Sequence, residues 1–521
     1  MPEEKESNKE TVNAPADQIA ETRHTIEIDG RQIDYVTRTG TMVLKEEVEG
    51  EDKTSEGEKP KASIFFVAYT KVQTGVDNEA AQDRSRPLTF SFNGGPGSSS
   101  VWLHLGLLGP RRVRVTDDGD NPLPPPYRLE DNPYSLLDVT DLVFIDPVST
   151  GFSRALEGER ASQFHNFKKD IEAVGEFIRL YTTRFKRWSS PKFLIGESYG
   201  TTRAAGLAGY MQDRHGMNFN GIMLVSTILN FQTARFVPGN DLPYALFLPT
   251  YAATAWYHGR LCEELQRDLD ATLAEVEAFA TNEYTLALMK GDRLSGEDRV
   301  RIADALARYT GLSRGYVEQT NLRIKIFRFV KELLREQRRT TGRLDTRFTG
   351  IDRDAAGESY EFDPSYAVIQ GAYTATLNDY VRAELEFESD LPYEILTDRV
   401  RPWRFDEHQN EYLNVGETLR EAMSKNPFLR VFVASGYYDL ATPYLATQYT
   451  FDHLQLDESL RENIMMKYYE AGHMMYIHEK SLAALKKDLA SFIVATVPAK
   501  TWAGSEVMKP RFPQFDNEHS L

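Results

Sequence analysis

Apolar and polar positions change their period along the chain, and each change marks a different element. Residues 24–28, 32–38 and 63–71 alternate or run apolar as strands do, separated by Asp29-Gly30 and by a charged stretch over 48–61. An Asp-Gly pair between two such runs predicts a hairpin, so the chain is expected to enter a sheet antiparallel. Further on, the short apolar strands 88–92, 141–145, 192–195 and 221–225 alternate with helical segments, the longest near 161–188. That alternation predicts an α/β fold with a mostly parallel central sheet and helices on both faces. Between Phe236 and Val415 the strand pattern fades. Leu265, Leu269, Leu273, Val276 and Phe279 recur at helical spacing there, as do Ile302, Leu306 and Tyr309, and predict a mainly helical insertion. Strand character returns at 429–434 and 464–469, followed by an amphipathic helix carrying Leu482, Leu485, Leu489 and Phe492.

The expected organisation is a leader over 1–22, a core over 23–235, a mainly helical cap inserted over 236–415, the second part of the core over 416–500, and a tail over 501–521. The leader is rich in Glu, Lys, Asn and Ala, with too little apolar surface to offset the entropy of ordering, and is expected to be disordered. A length of 521 residues suits one large core with an insertion.

Charge and cysteine content narrow the function. With 61 basic and 78 acidic residues the net charge is −17, which argues against nucleic acid or an anionic membrane surface as partner. Cys262 is the sole cysteine, so no intramolecular disulfide and no multi-cysteine metal site exists. The N-terminal run lacks the apolar stretch of a secretory signal, and no later segment is apolar enough to span a bilayer. Cytoplasmic residence is the default expectation, although a secreted or periplasmic form that has lost its signal reads the same. Oligomeric state leaves no mark in the sequence.

The chemistry concentrates in a few turns. Gly196-Glu197-Ser198-Tyr199-Gly200 matches the G-x-S-x-G nucleophile elbow, with an apolar strand running into it and a small-residue helical pattern over 201–211 leaving it. Ser198 is therefore the expected nucleophile, exposed on a tight turn at the carboxyl edge of the sheet. Upstream, Asn93-Gly94-Gly95-Pro96-Gly97 follows the strand 88–92, where this architecture places the other half of an oxyanion hole. The expected oxyanion donors are the backbone N–H groups of Gly95 and Tyr199. A phosphate-binding loop is the competing reading of this turn, but no Gly-Lys-Ser/Thr follows it. A serine needs a base and the base an orienting acid, in the chain order Ser, Asp or Glu, His. Asp439 stands just past the strand 429–434 and His473 just past the strand 464–469, so both satisfy order and position. Asp452, His453 and His478 fall in helical or surface surroundings.

Four separated motifs, FNGGPGSSS at 92–100, FIDPVSTGFS at 144–153, GESYG at 196–200 and GHM at 472–474, make the chain similar to the serine carboxypeptidases and their relatives of the α/β-hydrolase fold. The likeness spans about residues 88 to 475, outside the insertion, for which the resemblance implies only a cap. It implies hydrolysis of C-terminal residues from peptides with a free C-terminus. It also implies that Asn93, the Gly94 N–H and Glu197 hold the terminal carboxylate of the substrate. A carboxyl that holds a carboxylate must keep a proton between them, because two like charges in contact do not both stay ionised cheaply. The chain departs from the family pattern where a second Glu is expected two residues before Gly109-Pro110. Leu107 stands there, Ser91 replaces a frequent Trp, and Ser98 replaces a frequent Cys.

The expected mechanism is a Ser198–His473–Asp439 triad working through an acyl-enzyme, with no metal and no organic cofactor required. Two alternatives use the same residues differently. An esterase or acyltransferase would follow if Leu107 has abolished carboxylate binding, and a binding protein would follow if the fold had lost its chemistry.

Overall fold

The computed structural model describes residues 15–49, 52, 54–72, 84–117 and 123–497. Its centre is a sheet whose long strands are β1 (Gln18–Ile28), β2 (Arg31–Glu49), β3 (Ser55–Lys71), β4 (Leu88–Phe92), β5 (Asp141–Ile145), β6 (Lys192–Ser198), β7 (Gly221–Thr227), β8 (Arg430–Gly436) and β9 (Ile464–Tyr469). Their spatial order is β1-β2-β3-β5-β4-β6-β7-β8-β9. The strands from β1 to β5 pair antiparallel along that order, and every neighbour from β5 to β9 pairs parallel. This is the α/β-hydrolase architecture, and it puts the carboxyl ends of β4, β6, β7, β8 and β9 on one rim.

Strand residues alternate between two cores. Phe193, Ile195, Met223, Val225, Phe432 and Ala434 face one apolar layer, covered by α6 (Pro364–Ala383) and α8 (Glu479–Thr496). Leu194, Ile222, Leu224, Val431 and Val433 face the other, covered by α1 (Phe167–Arg184), α2 (Tyr199–His215) and α7 (Gly416–Lys425). A sheet buried on both faces needs near-continuous apolar strands, which is why these segments read so clearly.

The mainly helical segment expected over 236–415 divides by what it packs on. Its first part, with α3 (Leu242–Tyr257), α4 (Leu269–Phe279) and α5 (Gly296–Thr310), forms a separate apolar cluster. Its second part returns to the body, since Ile369, Ala372, Tyr373, Leu377 and Tyr380 of α6 pack on the sheet. Bridges Ser98↔Leu396, Gly151↔Glu394 and Asn230↔Asn414 then run the chain along the rim. A helix that covers a sheet and one that caps it share the same 3.6 period, so periodicity alone does not separate them.

Two expectations at the amino end are corrected. The leader expected over 1–22 ends sooner, because β1 starts at Gln18 and pairs with β2 from Gln18↔Thr41 to Ile28↔Arg31. Backbone pairing orders this segment where its side chains bury little. Residues 1–14 and the expected tail 501–521 lie outside the described residues. The charged stretch 48–61 is no plain loop either, since β2 runs to Glu49 and β3 starts at Ser55, with Glu46↔Lys59 and Glu47↔Glu58 in register. A ribbon exposed on both faces has no apolar alternation to reveal it.

Candidate active site

Strand β6 carries Ser198 to the rim and α2 begins at the next residue. Ser198 has φ 59° and ψ −129°, a conformation that costs an L-residue about 1–3 kcal/mol and that the packing must enforce. The enforcing contacts are backbone on backbone. A Cβ on Gly196 would lie 2.1 Å from the Gly200 carbonyl oxygen, and one on Gly200 would lie 2.8 Å from that of Phe92. Behind the turn, Thr201 Oγ1 donates to the Ser198 carbonyl at 2.7 Å and accepts from the Ile228 N–H at 2.9 Å. The strained turn is thereby tied to the end of β7.

The glycine turn after β4 lies directly against the elbow. A Cβ on Gly94 would sit 2.4 Å from the Tyr199 nitrogen, and Gly95 has φ 100°, open to glycine at little cost. The expected donors Gly95 and Tyr199 are thus carried on two backbone segments in contact. The Tyr199 N–H belongs to the first turn of a helix, where amides lack intrahelical partners and the helix dipole favours negative charge. Asn93 holds the turn from the other side. Its carbonyl accepts from Arg203 Nη1 at 2.5 Å, its Oδ1 accepts from the Leu103 N–H at 3.1 Å, and its Nδ2 is buried without a hydrogen-bond partner.

His473 and Asp439 meet as the sequence predicts, with Nδ1 donating to Oδ2 at 2.7 Å. Asp439 is wholly buried and also accepts from the Ala441 N–H at 2.7 Å, the Thr442 N–H at 3.1 Å and Thr442 Oγ1 at 2.7 Å. Burial pushes its carboxyl up, but the His473 charge and these hydrogen bonds outweigh it and hold the carboxyl below its usual range. For His473, burial favours the neutral ring, yet Asp439 and then Glu197 reverse this and raise its pKa. The Ser198 hydroxyl forms no hydrogen bond among the described residues; such bonds often close only with substrate bound.

Glu197 is buried beside the nucleophile and takes a hydrogen bond from the Tyr476 hydroxyl on Oε2 at 2.5 Å. Burial is the main influence and pushes its pKa up to about 7, against smaller lowering by His473, Tyr476 and Asn93. Leu107 is fully buried in the apolar core.

Three features of this rim escaped the sequence. Arg203 and Asp170 form a buried pair, Nε to Oδ2 at 2.8 Å, which joins α2, α1 and the glycine turn. A lone arginine beside Ala204, Ala205 and Gly206 on a buried helix face was the available signal. Thr442, three residues past Asp439, was a short-range signal of the same kind. The third feature had no signal. Asp345 and Arg347 form a buried pair at 2.7 Å from within the inserted segment, and Asp345 Oδ2 accepts from the Gly472 N–H at 3.1 Å. On either side the His473 N–H donates to the Leu344 carbonyl at 2.6 Å and the Leu440 N–H to the Arg343 carbonyl at 3.0 Å. One strap therefore fastens the loops of both His473 and Asp439. Breaking a buried pair by removing one partner typically costs about 3–5 kcal/mol. Asp345→Ala is expected to lose stability on that order in a urea titration, with a fall in turnover from a misplaced His473; unchanged stability would show the strap to be dispensable.

A family model described as serine carboxypeptidase matches residues 54–498. Serine carboxypeptidase-like 33 of Arabidopsis thaliana is 28% identical over 170 residues, 30% of this chain and 30% of the relative. The pheromone-processing carboxypeptidase KEX1 of Saccharomyces cerevisiae is 32% identical over 167 residues, 31% of this chain and 20% of that protein. The matches thus span under a third of these relatives' length. The crystal structure of yeast Kex1(delta)p, a prohormone-processing carboxypeptidase, superposes with TM-score 0.50 at 16% identity, covering 87% of this chain and 91% of that one. That likeness is one of fold.

Proposed function

Because the chain belongs to the serine carboxypeptidase family, we propose that it hydrolyses C-terminal residues from peptides through a Ser198–His473–Asp439 triad. In this reading the Ser198 Oγ attacks the last peptide carbonyl as its proton passes to His473, and Asp439 offsets the charge that develops on the ring. The oxyanion faces the N–H groups of Gly95 and Tyr199, each donor worth about 3–4 kcal/mol of transition-state stabilisation. His473 then protonates the departing amine, and water cleaves the acyl-enzyme by the same route in reverse. Among the described residues no helix is long and apolar enough to cross a membrane, and the reading asks for no partner beyond the peptide.

One observation carries the choice of a free C-terminus. Glu197, buried and holding its proton up to about pH 7, lies with the unpartnered Asn93 amide beside the nucleophile. A neutral carboxyl and an orphaned N–H2 together suit a carboxylate and suit an apolar ligand poorly.

The pH dependence follows in sign. Below about pH 7 Glu197 keeps its proton and donates it to the substrate carboxylate; above that value two negative charges face each other. Binding of free-acid peptides is expected to weaken by up to about tenfold per pH unit on the alkaline side. Glu197→Gln, which cannot ionise, is expected to lose that alkaline fall in kcat/KM. The raised pKa of His473 sets the acid limb for every substrate, since the base must be neutral to act.

The esterase or acyltransferase reading is favoured by one fact, the aliphatic Leu107 where a second acid was expected. A mass-spectrometric time course on matched free-acid and amidated peptides, at about pH 5 and about pH 8, separates the two. Carboxypeptidase action predicts trimming of the free acids alone. Equal cleavage of both, or ester turnover without trimming, rejects it.

A further inference from the structure

The Glu197 carboxyl takes its hydrogen bond from a phenol. Tyr476 stands in the turn after His473, and its hydroxyl donates to Oε2 at 2.5 Å. The ring is held in place by a close approach, since a Cβ on Gly106 would lie 2.4 Å from Tyr476 Cε2 and 2.6 Å from the Tyr373 hydroxyl. Both phenols are buried, and Leu107, next in the chain to Gly106 and in the same apolar core, adds no charge.

Resting on the carboxylate-binding role of Glu197, we propose that Tyr476 is its positioning residue, a fixed donor that occupies Oε2 and leaves Oε1 to share a proton with the substrate's terminal carboxylate. Burial raises the Tyr476 hydroxyl well above the usual phenol range, so it stays a donor at every working pH. A second carboxyl would share and lose a proton together with Glu197, and the pair would titrate as one unit. Tyr476 cannot do so, and the recognition site titrates as the single group Glu197. The charged and titratable groups that face it are His473 past β9, Asp439 past β8, Tyr476 itself and, from α6, Tyr373, with the neutral Asn93 amide of the glycine turn beside them. Of these Tyr476 makes the short hydrogen bond, 2.5 Å to Glu197 Oε2, and the Asn93 side chain adds a smaller lowering influence.

Tyr476→Phe keeps the ring and removes the donor. A hydrogen bond to the ionised form lowers a carboxyl pKa, so its loss raises that of Glu197 by about one unit. Two measurements test this. In a Ser198→Ala background, difference infrared spectroscopy of the carboxyl band, assigned by Glu197→Gln, is expected to show the titration midpoint moving up by about one pH unit in Tyr476→Phe. In the active enzyme, the alkaline limb for free-acid peptides is expected to move up by the same amount, with KM raised about tenfold as the carboxyl loses its aim, and with a much smaller loss on esters that carry no free carboxylate. An unmoved infrared midpoint overturns the proposal, as does an equal loss on free acids and esters, which is what a merely structural tyrosine would give. If wild-type enzyme cleaves amidated peptides as readily as free acids, the carboxylate-binding reading fails and the proposal with it. The wild-type comparison alone decides that case, and the infrared midpoint stays separate from it.

Discussion

Ser198→Ala is expected to lower kcat by about 10⁴- to 10⁶-fold with KM nearly unchanged, the size found when the nucleophile of a unit of three is removed. The reason is visible in the turn. A Cβ on Gly196 or Gly200 would meet backbone at 2.1 Å or 2.8 Å, so the tightly packed elbow cannot shift to offer another hydroxyl. Thr201, the next aliphatic hydroxyl along the chain, already donates to the Ser198 carbonyl and accepts from the Ile228 N–H. Alanine adopts the same left-handed backbone at the same cost, so stability should hold within about 0.5 kcal/mol. Turnover of an ester and of a free-acid peptide, together with labelling by a fluorophosphonate, measures the effect. Wild-type rates in a folded Ser198→Ala protein would mean that the chemistry belongs to a different residue.

Asp439→Asn is expected to lower kcat by about 10⁴-fold through the wrong imidazole tautomer. The hydrogen bonds around the carboxyl dictate which way the amide must sit. Asp439 Oδ1 accepts from two backbone N–H groups, at Ala441 and Thr442, and only an oxygen satisfies them. The asparagine NH₂ is thereby forced into the Oδ2 position, where it faces His473 Nδ1 at what is now 2.7 Å. It must donate there, which places the ring proton on Nε2 and leaves no base for Ser198. Thr442 Oγ1, which now donates to Oδ2, loses its acceptor and turns elsewhere. Nitrogen NMR of the imidazole reports the tautomer directly, and steady-state kinetics reports the rate. A loss of less than about tenfold, or an unchanged tautomer, would remove Asp439 from the orienting role.

These expectations rest on residues that differ in how readily the sequence exposes them. Ser198 announces itself because the elbow is a local object, with strand, two obligatory glycines and helix within a dozen positions. Asp439 and His473 were found by order and by their place past a strand, and the fold sets them 2.7 Å apart. Whether Ser198 joins them in catalysis is what the two variants decide. Asn93 and Glu197 entered through resemblance, and their burial, the orphaned Nδ2 and the proton held to about pH 7 are physical reasons that no composition could supply.

The sequence by itself determined the alternation of strands and helices, the doubly covered sheet and the turns that carry chemistry, because each is set by local periodicity or by a glycine that local backbone geometry demands. Only the tertiary structure decided what lies behind those turns. The Asp345–Arg347 strap reaches Gly472 from 127 residues away, Arg203 finds Asp170 on another helix, and Tyr476 finds Glu197 from 279 residues away. Such partners obey no period, since a buried charge needs only some partner within hydrogen-bond reach, and which one arrives is settled by how the sheet brings distant loops to a single rim.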